Sequence, residues 1–444
     1  MDEEERFLDA IHDDEDVPVV TDWRERKRRR LHGKNQVAID GFLGEGRRSS
    51  AVGMLPRYYC ELFTWALHCY LERERWTTVS TLGYHGSEPV YIDVNTGDEK
   101  KNLLMDGHLL IEKGDSRLII TVCVNPRCNG SVQVEGIAER EDEIKAFVSG
   151  VMAIAEDENF YRSKKIEFNG RIRFLDVQDK SWDSIVMDAE VKAEIKANTI
   201  DFLKRTEQWS KYGIPLKRGI LLAGEPGTGK TVICKALMAE ADGITCVTTN
   251  GYALDDDDYI SELYELADDL SPSIVFIEDI DLIGQNRMEF GYQRGPALLS
   301  LLAILDGVEG QKEIVTVATT NCLETLDKAL SQRPSRFDRV IKLSRPGQEQ
   351  RRELINRLCE RIPLDESTRD YIAHRSEGCT PAQLQEIVYS LVIQCPAGQS
   401  GLSYSKTDID RAISRINDKN RHQIGFNISD NHNGHMVGYI EATR

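Results

Sequence analysis

Ten cysteines are scattered along the sequence with no C-x-x-C pair, and no Cys/His cluster falls at zinc spacing. A structural zinc site and a C-x-x-C redox centre are thereby excluded. Cys123 and Cys128 have no basic partner assigned to them, and His432 and His435 lack a further ligand, so these read as structural thiols and loop histidines. No H-E-x-x-H occurs, so a fused metalloprotease centre is not expected. No apolar run approaches the roughly 20 residues of a membrane-spanning helix. The nearest stretch, 51–71, is broken by Pro56, Arg57, Glu61 and His68. The start, Met1 to Asp16, is acidic rather than basic and apolar, so neither a secretory signal nor a transit peptide is expected and the expected location is cytoplasmic. Positive charge is also short: Lys+Arg 56 against Asp+Glu 74 leaves −18, which disfavours broad contact with nucleic acid or anionic lipid.

What is present is 444 residues with 40% hydrophobic and 29% charged side chains, enough for two or three globular domains. Residues 1–50 read as a flexible charged arm; its basic run, Arg24 to Arg30, is the one candidate nucleic-acid patch and otherwise a solvated segment. Residues 51–176 read as a small α+β domain. Leu55, Tyr58, Tyr59, Leu62, Phe63, Ala66, Leu67, Tyr70 and Leu71 recur at helical steps, and strand-like runs follow at 90–94, 109–113, 117–124, 131–135 and 165–174. From 177 to 344 short apolar runs alternate with helical stretches, the signature of a parallel sheet, with strands expected at 220–223, 244–247, 274–277, 314–318 and 340–343. Residues 345–417 read as a helical lid, and 418–444 as a tail.

The strongest chemical signal is Gly224, Glu225, Pro226, Gly227, Thr228, Gly229, Lys230 and Thr231, which fits G-x-x-x-x-G-K-[ST] between an expected strand and a helix that continues through Val232. Such a loop turns backbone N–H groups toward phosphates, with Lys230 against the β- and γ-phosphates and the Thr231 hydroxyl on magnesium. ATP and Mg2+ are therefore the expected ligands. The strand 273–277 ends in Glu278 and Asp279, followed by Ile280 and Asp281, which places carboxylates at the edge where open α/β sheets bind ligands. One carboxylate suits the metal and the other the attacking water.

With Asn321 after Thr319-Thr320, the segment Arg333 to Arg339, and the lid, residues 182 to about 417 resemble an AAA ATPase module. The resemblance implies an α/β P-loop NTPase core with a parallel sheet and a C-terminal helical lid, here preceded by the small α+β domain. It implies that Asn321 senses the γ-phosphate and that Arg333 and Arg336 reach a neighbouring subunit's nucleotide, which requires a homo-oligomeric ring, a hexamer. A single phosphate loop implies one tier. Asp306-Gly307 matches the intersubunit signalling position, and the segment from Trp182 through Ile185 and Val186 resembles the one that wraps adenine, although the usual glycine pair is replaced by Val186-Met187.

Two features depart from most of that family. The order Glu278-Asp279 inverts the usual Asp-Glu, which assigns Glu278 to magnesium and Asp279 to water. The stretch 250–258 is short and lacks an aromatic-hydrophobic-glycine pore loop; Tyr252 or Tyr259 are the substitutes, and Asp255 to Asp258 read as an acidic helix N-terminus. In the Glu-Asp order, the short loop and Thr380 to Gln383 the chain is similar to the mitochondrial AAA ATPases that translocate the Rieske protein, without their membrane helix. Three functions follow as expectations: ATP-driven remodelling or translocation of a protein, an ATP-gated scaffold controlling a separate protease or nuclease, and, disfavoured by charge, a nucleic-acid motor.

Overall fold

The computed structural model of the chain describes residues 23–83, 87–123, 130–177, 180–254, 257–283, 296–306, 313–324, 337–394 and 404–419. The first half builds a six-stranded antiparallel sheet from β1 (Arg48–Leu55), β2 (Thr77–Leu82), β3 (Val90–Asn95), β4 (Lys100–Lys113), β5 (Ser116–Cys123) and β6 (Gly130–Ile137). The order is β1-β6-β5-β4-β2, with β3 also on β4. Alternation along β5 sends Leu118, Ile120 and Val122 to one face, where α2 (Cys60–Arg73) and α3 (Glu141–Asp157) bury Leu62, Phe63, Phe147 and Val151 against them.

The opposite face carries a helix where the sequence suggested a flexible arm. Helix α1 (Trp23–Leu43) seats Ile39 and Leu43 on Leu110 and Ile119. Arg and Lys, both good helix formers, make up seven of its 21 residues and proline is absent, which favours helix even where little apolar surface is available. The two seated residues lie one turn apart near its end, too few to register as an amphipathic pattern. The side chains of Arg24 to Arg30 and all of residues 1–22 lie outside the described set, as do Cys128 and the tail histidines His432 and His435.

The second sheet is β13-β9-β12-β11-β10-β7-β8, formed by β7 (Lys165–Phe168), β8 (Ile172–Phe174), β9 (Lys217–Gly224), β10 (Thr245–Asn250), β11 (Ser273–Glu278), β12 (Ile314–Thr320) and β13 (Arg339–Leu343). Every pair is parallel except β7 with β8. Strands β9 to β13 stand where the apolar runs predict them. The run 165–174, expected to close the first domain, instead extends this second sheet by pairing Lys165 to Glu167 with Cys246 to Thr248. Period-two alternation marks a strand but does not say which sheet it joins. Around the sheet lie α4 (Ala189–Asn198), α5 (Ile200–Leu203), α6 (Thr206–Lys211), α7 (Lys230–Glu240), α8 (Asp257–Asp269) and α9 (Pro296–Asp306). The lid is α10 (Gln348–Leu358), α11 (Glu366–Arg375), α12 (Pro381–Ile393) and α13 (Lys406–Lys419), with its own core around Ile355, Ile372, Leu384 and Ile413.

A continuous apolar core joins the first sheet's helices to the second sheet, running from Phe63 and Phe147 through Tyr161 and Phe168 to Leu263 and Val275. At this junction Arg57 donates from Nη2 to Glu262 Oε2 at 2.9 Å, and its guanidinium lies 5.1 Å over the Tyr259 ring. Arg57→Ala is expected to destabilise the fold by about 1.5–3 kcal/mol, the range for a hydrogen bond to a charged group, read as a lower urea midpoint. An unchanged midpoint would remove the junction from the stabilising contacts. Among the described residues no helix is long and apolar enough to cross a membrane.

Candidate functional site

The carboxyl ends of β9, β11 and β12 converge where the polarity of a parallel sheet gathers strand ends and helix starts. Strand β9 ends at Gly224, and the loop re-enters as α7 at Lys230. The Lys230 side chain is buried and donates to Gly224 O at 2.8 Å, Glu225 O at 3.1 Å and Asn321 Oδ1 at 2.7 Å. Burial lowers the pKa of its ammonium, while the charges of Asp279 and Asp281 act in the opposite sense. At the next residue the Thr231 hydroxyl donates to Glu278 Oε2 at 2.9 Å.

Asn321 joins the loop to the second carboxylate, because its Nδ2 donates to Asp279 Oδ1 at 2.9 Å while its Oδ1 holds Lys230. Asp279 adopts a left-handed backbone, φ 51, and its N–H donates to Thr319 Oγ1 at 2.9 Å. A non-glycine residue in that region costs about 1–3 kcal/mol and persists where surrounding contacts hold it. Two further determinants lie beside these residues. Asp281 Oδ1 accepts from Thr320 Oγ1 at 2.8 Å and from Asn321 N at 3.2 Å, so it fixes the backbone from which Asn321 reaches across. Gly251, just past β10, would place a Cβ only 2.3 Å from Asp279 O. The sequence carried both residues within motifs, but no spacing rule assigned them to the site.

Beside this polar floor is a cavity of ≈ 540 Å³. Its apolar side is formed by Ile185, Val186, Met187, Val191, Leu343 and Leu354, and its polar side by the loop from Pro226 to Val232 with Asp279 and Asn321. Ile185 and Val186, proposed from sequence at the adenine position, therefore share one cavity with the phosphate loop. The lid closes on the same loop: Ala382 N donates to Gly227 O at 3.2 Å, and Thr380 caps α12 by accepting from Gln383 N.

Gly227 has φ 82, and a Cβ there would stand 2.9 Å from Ala382 Cβ and 3.0 Å from Thr380 Oγ1. Gly227→Ala is expected to force lid and loop apart and weaken nucleotide binding about tenfold or more, about 1.4 kcal/mol, as measured by titration with a fluorescent ATP analogue. Unaltered affinity would separate the lid contact from binding. Outside the cavity Arg345 Nε and Nη2 meet Glu225 Oε2 at 3.0 and 2.5 Å, and Arg345 Nη1 donates to Gly378 O at 2.7 Å, a second tie between loop and lid that no motif foretold.

Arg333 and Arg336 lie outside the described residues, as does Gly307. The segment after the arginines is anchored, with Phe337 buried and Asp338 Oδ2 accepting from Gly219 N at 2.8 Å. Of the two candidate pore tyrosines, Tyr252 is 59% exposed, whereas Tyr259 lies under Arg57 at the domain junction. Helix α8 begins with Asp257 and Asp258 in its first turn, as the helix dipole favours; Asp255 and Asp256 lie outside the described set. Among the described residues no group of three or more His, Cys, Asp or Glu side chains could hold a metal ion.

Comparison with known families agrees with this geometry. The family described as "ATPase family associated with various cellular activities (AAA)" matches residues 220–345. An ATP-dependent zinc metalloprotease FtsH 2 of Sphaerobacter thermophilus is 34% identical over 221 residues, 48% of this chain and 34% of that protein. An ATP-dependent zinc metalloprotease FtsH 3 of Synechocystis is 32% identical over 269 residues, 58% of this chain and 42% of that protein. A proteasome-activating nucleotidase of Sulfurisphaera tokodaii is 34% identical over 231 residues, 49% of this chain and 58% of that protein. The chain thus spans between about a third and three fifths of the length of these relatives.

Proposed function

We propose, from the match of residues 220–345 to the AAA ATPase family, that the chain binds and hydrolyses Mg-ATP as a homo-oligomeric ring, a hexamer, and uses the cycle to remodel or translocate a protein. The observation that carries the chemistry is the pair of linked contacts Lys230–Asn321–Asp279 and Thr231–Glu278 at the start of one helix. Thr231 and Glu278 present two hard oxygen donors 2.9 Å apart, a donor set that fits magnesium with waters completing its shell. Bound there, magnesium would neutralise charge on the β- and γ-phosphates.

The remaining roles belong to the protein. Lys230 exchanges its loop carbonyls for phosphate oxygens, and backbone N–H groups at the start of α7 face the same phosphates. Asp279 orients the attacking water and polarises its O–H bond. Asn321 ties that carboxylate to Lys230, so the base and the phosphate-binding cation move as one unit. Ile185 and Val186 offer an apolar surface to adenine.

Arg333 and Arg336 are assigned to the neighbouring subunit's nucleotide. Mixing Arg333→Ala subunits with wild type is expected to depress turnover below the linear average of the two; strict additivity across mixing ratios would remove the assignment. Protein handling rests on the likeness to relatives named as ATP-dependent proteases and a proteasome activator. The ATP-gated scaffold is kept as a second reading because Tyr259 is held at the domain junction, leaving Tyr252 as the candidate pore tyrosine exposed to solvent. An ATPase rate that rises with added unfolded casein supports remodelling; a rate indifferent to casein, with a co-purifying enzyme whose activity follows nucleotide state, supports the scaffold.

A further inference from the structure

Strand β1 pairs on one side only: among the described residues no strand pairs with its outer edge. Ala138 N bonds Arg47 O, and in the antiparallel register with β6 this makes residues 49, 51, 53 and 55 the hydrogen-bonded partners of β6. The N–H and C=O groups of Arg48, Ser50, Val52 and Met54 therefore point away from the sheet. Strand edges in soluble proteins are usually blunted by lysine, proline or a bulge. Residues 50–54 read Ser-Ala-Val-Gly-Met, with Val52 56% and Met54 57% exposed, and the register with β6 is unbroken.

The end of the same edge carries a cation with spare donor capacity. Arg48 projects to the same face of the sheet as Val52 and Met54. Its Nη2 makes only a 3.7 Å approach to Asp40, and its Nη1 is buried without a hydrogen-bond partner. The Arg48 side chain is 28% exposed and its 3.7 Å approach to Asp40 is longer than a hydrogen bond, so the accessible part of the guanidinium has N–H donors free to take a carboxylate from outside the sheet. Unpaired backbone groups call for an extended chain, Val52 and Met54 for apolar side chains at alternate positions, and Arg48 for an acid.

We propose that β1 is a docking edge at which an extended segment of a protein partner adds as a seventh, antiparallel strand. The residue facing Met54 is followed two positions later by the one facing Val52 and six positions later by the one facing Arg48. The recognised pattern is therefore apolar-x-apolar-x-x-x-(Asp or Glu). The class of partner rests on the protein-handling reading above; the edge and its register do not. Strand β1 carries no acidic residue, so two-fold pairing with a second copy would bring no carboxylate from that strand to Arg48.

The test uses a fluorescein-labelled peptide of alternating valine and threonine with glutamate six residues after its first valine, titrated by anisotropy against the full chain. Saturable binding is expected, weakened about tenfold, or about 1.4 kcal/mol, when that glutamate is replaced by lysine. Val52→Pro removes an outward N–H and no bond to β6, so it is expected to abolish peptide binding with an unchanged circular dichroism spectrum. Met54→Lys provides a second blocked edge should the proline variant fail to fold. Equal binding by wild type and both folded variants would overturn the proposal. So would a change in assembly mass on Val52→Pro, which would give the edge to a second copy. Casein stimulation retained in full by Val52→Pro would leave protein handling intact and reject this edge. Peptide binding by a wild-type chain that casein does not stimulate would do the reverse.

Discussion

Lys230→Ala is expected to lower ATP turnover by at least about 100-fold, the scale for removing one preorganised electrostatic partner of a transition state. The ammonium is buried at the start of α7 and held on one side by Gly224 O and Glu225 O and on the other by Asn321. Deleting it withdraws the charge nearest the phosphates and leaves Asn321 Oδ1 without its donor, so Asp279 loses its tie to the loop. Nucleotide binding should weaken as well, because the same cation meets phosphate in ground and transition states. Steady-state turnover and ATP-analogue titration on one preparation check both parts. Turnover within tenfold of wild type would reject the assignment of the loop as the catalytic phosphate site.

Asp279→Asn is expected to retain ATP binding while hydrolysis falls by about 10²–10⁴, the usual worth of a general base. The substitution keeps an Oδ1 to accept from Asn321 and removes only the capacity to take a proton. Glu278→Gln should differ: losing the carboxylate opposite Thr231 weakens the metal site, so its defect should diminish with added magnesium, whereas that of Asp279→Asn should not. Magnesium-dependent rescue of Asp279→Asn instead would exchange the two roles. The Glu-Asp order makes this pair of variants informative, since the shorter side chain here serves as base. Its reach is set by the left-handed backbone at Asp279 and by the close approach of Gly251.

Much of the site was legible in the residues. The glycine-rich loop, the lysine and the hydroxyl are adjacent in sequence because one strand–turn–helix unit presents them all, and Glu278 and Asp279 mark themselves by ending an apolar run. Asn321 needed the family resemblance, since a single asparagine after a strand carries no periodic signal. Asp281, Gly251 and the Arg345–Glu225 tie escaped because each acts on a residue far off in sequence. The helical character of 23–43 escaped because propensity rather than an amphipathic pattern carries most of it.

The sequence by itself determined the local elements and the nucleotide chemistry, because hydrophobic period, turn residues and a contiguous phosphate loop are properties of neighbours along the chain. The tertiary structure alone decided that 165–174 belongs to the second sheet, that Tyr259 serves a domain junction, and that among the described residues no strand pairs with the outer edge of β1. Those outcomes depend on which strand finds which partner, and hydrogen-bond pairing between strands is set by the packing of the whole core rather than by the alternation of either strand.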